Sequence, residues 1–208
     1  MKYNKITILK NYYEEKLNIY KSGAKAVNWR NKQTQYLRFK KICEIGCLNK
    51  KKILDVGCGL GHLNDFLKKK KLNTKYLGID ISEKMIFEAK KKSGNDIFFC
   101  KDLLKINKKD IQKLKSDYVL NCGLFTVKNN LNSYIWWEYI KKMIINMNKL
   151  SRKGISFNMM KYNVDYKDKH LHYQSIDQLV KFIEKNISKK IIIKSDYDLW
   201  EYTCYVYK

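Results

Sequence analysis

The sequence predicts an α/β fold: a mostly parallel, seven-stranded sheet with helices on both faces, a C-terminal antiparallel hairpin and an N-terminal helical lid. Three observations predict it. From Lys51 onward short apolar runs alternate with helix-spaced segments, the pattern of a parallel sheet covered on both sides. The last two runs, Ile191–Lys194 and Tyr202–Tyr207, follow each other with no helix between, over a link too short for a right-handed crossover, so they pair antiparallel. The 208 residues, 45% hydrophobic and 13% aromatic, suffice for one buried core and are too apolar for a disordered chain. No repeat or break divides them. Residues 1–208 therefore read as a single domain, with helices or a lid over 1–50 and the core over 51–208.

Taken in order, the first 50 residues are polar and helical in two segments. One is Ile6–Lys21, with Tyr12, Tyr13 and Tyr20; the breaker Ser22-Gly23 ends it. The other is Lys32–Leu48, with Leu37, Ile42, Ile45 and Leu48 near one face. The first five strands are Ile53–Val56, Tyr76–Ile81, Ile97–Cys100, Tyr118–Asn121 and Ile155–Met159. Leu63, Phe66 and Leu67 mark a helix after the first, and Met85, Ile86 and Ala89 one after the second. Tyr134–Leu150 is the clearest helix, with Ile140, Met143, Ile144 and Met147 at i, i+3, i+4, i+7. Leu179, Val180, Ile183 and Ile187 mark the last.

The formal charge of +24, from 44 basic and 20 acidic residues, points at first to nucleic acid or an anionic membrane. All the basic residues but Arg30, Arg38 and Arg152 are lysines, however, and guanidinium groups are what read phosphate forks and base edges best. In a chain rich in lysine, asparagine, isoleucine and tyrosine and devoid of proline, the excess reads as a composition-wide drift, and nucleic acid is disfavoured as partner. No apolar run approaches the ~20 residues of a membrane span, and Met1–Lys5 lacks the apolar core of a signal peptide. Six cysteines, at 43, 47, 58, 100, 122 and 204, include no CxxC, and several sit in apolar runs; a reduced, cytoplasmic protein with buried thiols is expected. The three histidines have no metal-ligand spacing, so no metal is expected.

The most informative segment is Ile53-Leu54-Asp55-Val56-Gly57-Cys58-Gly59-Leu60-Gly61-His62. A strand runs into three alternate glycines and then a helix, and the glycines permit positive φ and close approach of a ligand to the backbone. The spacing is GxGxG rather than the GxGxxG of dinucleotide sites, and Asp55 would repel a pyrophosphate while suiting a ligand with an amine. Asp80 follows at the tip of the second strand, where a carboxylate can accept hydrogen bonds from ribose hydroxyls. Asp102 ends the third.

These residues resemble the class I, Rossmann-like S-adenosyl-L-methionine-dependent methyltransferases of the small-molecule type, over residues 50–208. The resemblance implies S-adenosylmethionine as cofactor. It implies that Asp55, Gly57, Cys58, Gly59 and Gly61 lie along the methionine and ribose, and that Asp80, with Ile81 beside it, holds the ribose hydroxyls. Asp102 and the backbone of Leu103 would meet the adenine, and Asn121 at the fourth strand tip the methionine end. N-terminal helices of such enzymes fold over the cofactor, which makes Trp29 and Arg38 further candidates, Arg38 as partner of a cofactor or substrate carboxylate.

The acceptor is read by elimination. Methylation of exocyclic DNA amines uses an (Asp/Asn/Ser)-Pro-Pro-aromatic motif, and cytosine C5 chemistry a Pro-Cys nucleophile; this chain has neither, and Cys122 reads as a small buried thiol. Residues 1–50 carry no recognisable RNA-binding pattern. A small-molecule acceptor leads, with an RNA methyltransferase of the same fold, or a non-catalytic cofactor-binding subunit, as rivals. Lys161–Gln174 is a long polar insert expected to form part of the lid. His170 and His172 share one face of it if extended and are the candidate general bases, with Tyr166 or Tyr173 beside them. A histidine-bearing lid favours an oxygen over a nitrogen acceptor. A sugar, nucleotide-linked or phosphate-bearing metabolite suits the cationic surface. Acceptor identity and oligomeric state stay open.

Overall fold

The structure, a computed structural model, describes residues 3–93 and 96–208. Three helices come first: α1 (Tyr3–Tyr20), α2 (Gly23–Ala26) and α3 (Lys32–Cys43). Ser22 thus lies between the first helix and a four-residue second one, at whose N-cap position its side chain makes no capping hydrogen bond. Asn31 starts α3, its side chain accepting the Thr34 N–H at 2.9 Å. This helix stops at Cys43, short of the expected Leu48, because the chain turns at Gly46, where a Cβ would come within 2.7 Å of the Tyr118 hydroxyl. Ile45 and Leu48 stay buried from that turn.

The core alternates β1 (Lys52–Val56), α4 (His62–Lys69), β2 (Lys75–Asp80), α5 (Glu83–Ser93), β3 (Phe98–Cys100), a short 3-10 turn Leu103–Lys105, α6 (Lys108–Leu114), β4 (Ser116–Asn121), α7 (Ser133–Leu150) and β5 (Ser151–Lys161). It ends with β6 (Tyr173–Gln174), α8 (Ile176–Asn186), β7 (Ile191–Lys194) and β8 (Glu201–Tyr207). The sheet order is β3-β2-β1-β4-β5-β8-β7, parallel up to β5 and antiparallel in the β8–β7 hairpin. This seven-strand path has one addition: β6 pairs in parallel with Met160 and Lys161 of β5. Those two residues extend past the strand run expected from the sequence. They offer a free edge, onto which the end of the Lys161–Gln174 insert folds back, while Leu171 bridges Val127.

Burial follows the periodicity. Along α7, Trp136, Ile140, Met143, Ile144, Met147 and Leu150 form one buried stripe against the sheet. Leu63, Phe66 and Leu67 of α4 pack on the opposite face with Ile53, Tyr76 and Phe98. A third, smaller cluster matters more for the site: Leu17 of α1, Ala26 of α2, Leu60 and Met85 seal the N-terminal helices onto the rim of the sheet. Of the six free thiols, Cys58 and Cys204 are buried but Cys47 and Cys100 are exposed, so the expected burial of thiols holds for only part of the set.

Strand order reverses between β1 and β4, and in open parallel sheets the ligand crevice lies beyond the carboxyl ends at such a reversal. Gly61 shows how tightly this corner is built: it has φ +75°, and a Cβ there would sit 2.5 Å from the Phe98 ring. Gly61→Ala should therefore destabilise the fold by about 1–3 kcal/mol through left-handed strain and displacement of Phe98. Thermal unfolding checks this, and an unchanged Tm would contradict it.

Candidate active site

The turn after β1 is bent by three left-handed glycines, Gly57 (φ +75°), Gly59 (φ +50°) and Gly61. It is stitched to the tip of β2. The N–H groups of Gly57 and Cys58 both donate to the Ile79 carbonyl, at 2.9 and 3.1 Å. The Gly59 N–H donates to Asp80 Oδ2 at 3.0 Å, and the Ser82 N–H to Asp80 Oδ1 at 2.9 Å. The Ser82 hydroxyl in turn donates to Glu14 of α1 at 2.7 Å, which ties that helix to the same corner. Tyr12 of α1 holds Asn28 by a 3.0 Å bond.

A cleft opens above this turn. Its floor carries Asp55, Gly57, Cys58, Gly59, Asp80 and Ile81, and its far wall Cys122, Gly123 and Leu124 from the exit of β4. Leu9, Lys10 and Tyr13 of α1, Trp29 from the α2–α3 link and Gln35 of α3 close it from above. Tyr139 of α7, stacked on buried Trp136 with ring centroids 4.8 Å apart, also reaches it. The structure thus brings together seven residues singled out from sequence: Trp29, Asp55, Gly57, Cys58, Gly59, Asp80 and Ile81. The rest of that set lies outside the lining. Gly61 packs behind the turn on Phe98. Asp102 caps the 3-10 turn, accepting the Leu104 N–H at 2.9 Å, and Leu103 is in the core. Asn121 is fully buried and donates to the Val56 carbonyl at 2.8 Å, its Oδ1 without a partner.

Arg38 is also engaged elsewhere. Its guanidinium lies over the Trp29 ring, 4.3 Å from the centroid, and its Nε donates to Glu201 at 2.8 Å. Glu201, buried at the start of β8, also accepts from Asn158, and Asn158 accepts the Gly123 N–H at 2.7 Å. This buried chain connects α3, β8, β5 and the β4 exit, and it fixes the Trp29 side of the cleft. Neither lid histidine lines the cleft. His170 is half-exposed and pairs with Asp168, while His172 is buried against Gln174 and pushed down to about 4 by that burial. The histidine that does line it is His62, in the first turn of α4. Gln35 donates to its Nδ1 at 3.0 Å. Burial first, then the charge of Lys92, lowers its pKa to about 4, so the ring is neutral at pH 7 and carries its hydrogen on Nε2. His62 stood in the glycine-rich segment; its place directly after Gly61 was the available signal.

The electrostatics of the floor are set by two acids. Burial raises the Asp55 carboxyl to about 7 against the 2.7 Å bond from the Tyr76 hydroxyl, which lowers it. Burial also raises Asp80, while the backbone donors at Ser82 and Gly59 oppose the rise. Lys10 is the one lysine among the lining residues. Among the described residues no group of three His, Cys, Asp or Glu side chains is placed to hold a metal ion. Because Asp55 holds its proton more tightly folded (about 7) than unfolded (3.8), the folded state loses stability as pH rises through that interval. Asp55→Asn should remove this loss. Measured at about pH 5 and about pH 8, Tm should fall less for the variant than for the wild type; parallel falls would contradict the assignment.

Comparison with known proteins gives three findings. Residues 54–154 match the family model described as a methyltransferase domain. A Mycobacterium tuberculosis protein that carries a methyltransferase name, Rv1506c, is 30% identical over 164 residues, covering 75% of this chain and 92% of that protein. Among solved structures, magnesium protoporphyrin IX methyltransferase from Synechocystis PCC 6803 with bound S-adenosylmethionine has a TM-score of 0.66 at 19% identity, covering 99% of this chain and 97% of that one. Human N-acetylserotonin methyltransferase, also bound to S-adenosylmethionine, has a TM-score of 0.69 at 11% identity; the match covers 99% of this chain but 59% of the human one. Together with the glycine-rich turn and the sheet order, these place the chain in the family of class I S-adenosylmethionine-dependent methyltransferases.

Proposed function

We propose that this methyltransferase acts on a small-molecule acceptor, with residues 1–50 as the lid of a single domain. The observation that carries the reading is the roofed cleft: α1, the Trp29 link and α3 cover the floor of Asp55, Gly57, Gly59 and Asp80. A roof of this kind suits a compact acceptor. Two solved relatives whose names state an acceptor, a magnesium porphyrin in one case and N-acetylserotonin in the other, also act on small molecules.

The floor fits the cofactor. A Cβ at Gly59 would come within 3.1 Å of the Val27 side chain, so the glycine lets the link before α3 close down on the turn, and two carboxylates against one lysine favour a cationic ligand over a pyrophosphate. Asp80 would accept the ribose hydroxyls beside Ile81, while Asp55 would face the cationic end along Gly57, Cys58 and Gly59. Trp29, held by Arg38, would wall that end. Gly61, Asp102, Leu103 and Asn121 support these groups from behind, as caps and packing. When bound, S-adenosylmethionine supplies a methyl group on a positively charged sulfur. The chain's own work is then to orient the acceptor, exclude water and hold the protons nearby. The expected preference for oxygen rested on His170 and His172; with both outside the cleft lining, the proposal names no acceptor atom.

Asp80→Ala should weaken binding of S-adenosylhomocysteine by about 1–3 kcal/mol, through loss of a charged acceptor. Isothermal titration calorimetry checks this, and unchanged affinity would contradict the role. The function is tested by incubating the protein with labelled S-adenosylmethionine and a low-molecular-weight metabolite extract. A labelled small product is expected; label confined to added RNA would contradict the reading.

A further inference from the structure

A second cavity adjoins the cleft. It has a volume of ≈ 540 Å³, in the range of small-molecule sites, and lies between the α1–α2 turn, the start of α3, α4 and the last turns of α5. Gln35 and His62 line both spaces, so their hydrogen-bonded pair is the partition between them. The two spaces differ in charge. The cofactor cleft has Asp55 and Asp80 against Lys10, whereas the second cavity has Lys21, Lys32, Lys91 and Lys92 against Asp65 and Glu88.

Pairing sharpens the difference. Lys92 is bound to Asp65, which leaves Lys21, Lys32 and Lys91 facing the single carboxylate of Glu88. Lys21 is presented by a left-handed backbone (φ +58°) just past the end of α1, and Lys32 Nζ stands over the Tyr36 ring, 5.4 Å from its centroid. The three come from separate elements and converge on one space. The field is felt at the partition: Lys92 and Lys32 both help hold His62 in its neutral form. No arginine lines the cavity, so bidentate recognition of either a carboxylate or a phosphate is missing and an anion would be held by ammonium point charges. Separate ammonium groups around a cavity suit an anion with several oxygens and more than one charge.

We propose that this cavity is the acceptor's anchoring subsite and takes a phosphate or diphosphate group, so that the acceptor spans from the lysines past His62 to the cofactor cleft. The inference rests on the small-molecule reading above and deepens it. A neutral His62 at the partition leaves the passage uncharged, and its Nε2–H is a donor for the intervening part of the acceptor.

The test uses the full chain and the double variant Lys32→Gln/Lys91→Gln, both exposed positions whose replacement spares the core. Inorganic pyrophosphate is the calorimetric probe, with S-adenosylhomocysteine as control. The wild type should bind pyrophosphate and the variant at least about tenfold more weakly, with S-adenosylhomocysteine affinity equal in both. Labelled methyl transfer is then run on a low-molecular-weight metabolite extract, with and without prior phosphatase treatment. The product should disappear after phosphatase treatment and fall at least about tenfold with the variant. Equal pyrophosphate binding by both proteins, or a labelled small product indifferent to phosphatase, would overturn the anchoring subsite and leave the small-molecule reading intact. Lysine-dependent pyrophosphate binding without any labelled small product, or with label in RNA alone, would sink that reading, and the acceptor assignment of the cavity with it.

Discussion

The turn after β1 is the constraint on which the rest of the site depends. Its glycines bend the backbone through left-handed conformations, and its N–H groups are consumed by the neighbouring strand, at the Ile79 carbonyl and the Asp80 carboxylate. One arrangement therefore does two jobs. It satisfies buried backbone donors, and it fixes a carboxylate at the cleft floor with both oxygens already oriented by backbone donors. Ser82 extends the same stitch to Glu14, so the roofing helix α1 is registered against the turn.

In a chain of formal charge +24, the cleft floor is acidic. Asp55 is held among apolar strands with the Tyr76 hydroxyl as its partner, and Asp80 is held by backbone N–H groups. Neither is neutralised by a lysine or arginine within salt-bridge distance among the described residues. Burying such groups is costly for the empty protein, and a cationic ligand offsets that cost. The same division of charge separates the two cavities: acids where the cofactor's sulfonium belongs, lysines on the other side of the Gln35–His62 pair.

Much of this was legible in the sequence because it is local. The strand–helix alternation, the GxGxG turn and Asp80 are written within short segments, and the hairpin follows from the absence of a helix between two apolar runs. What was not legible depends on contacts across long separations. Arg38 meets Glu201, 163 positions away, so its role as a wall for Trp29 has no local signature. His172 was expected to be a candidate general base in a polar lid, but Leu171 bridges Val127 and β6 adds to β5, which turns the imidazole inward. Tyr139 reaches the cleft because Trp136, one turn earlier, is anchored to the Phe125 carbonyl. Trp200, whose large apolar side chain would suit a core, is exposed because the β7–β8 link carries it outside the sheet.

The most direct test of the central claim is a crystal structure of the protein with S-adenosylhomocysteine. The account predicts the ribose hydroxyls on the Asp80 carboxylate and the amino-acid end running along Gly57–Gly59 toward Asp55 and Trp29. An adenosyl group bound away from that turn, with Asp80 still engaged only by its backbone donors, would contradict it.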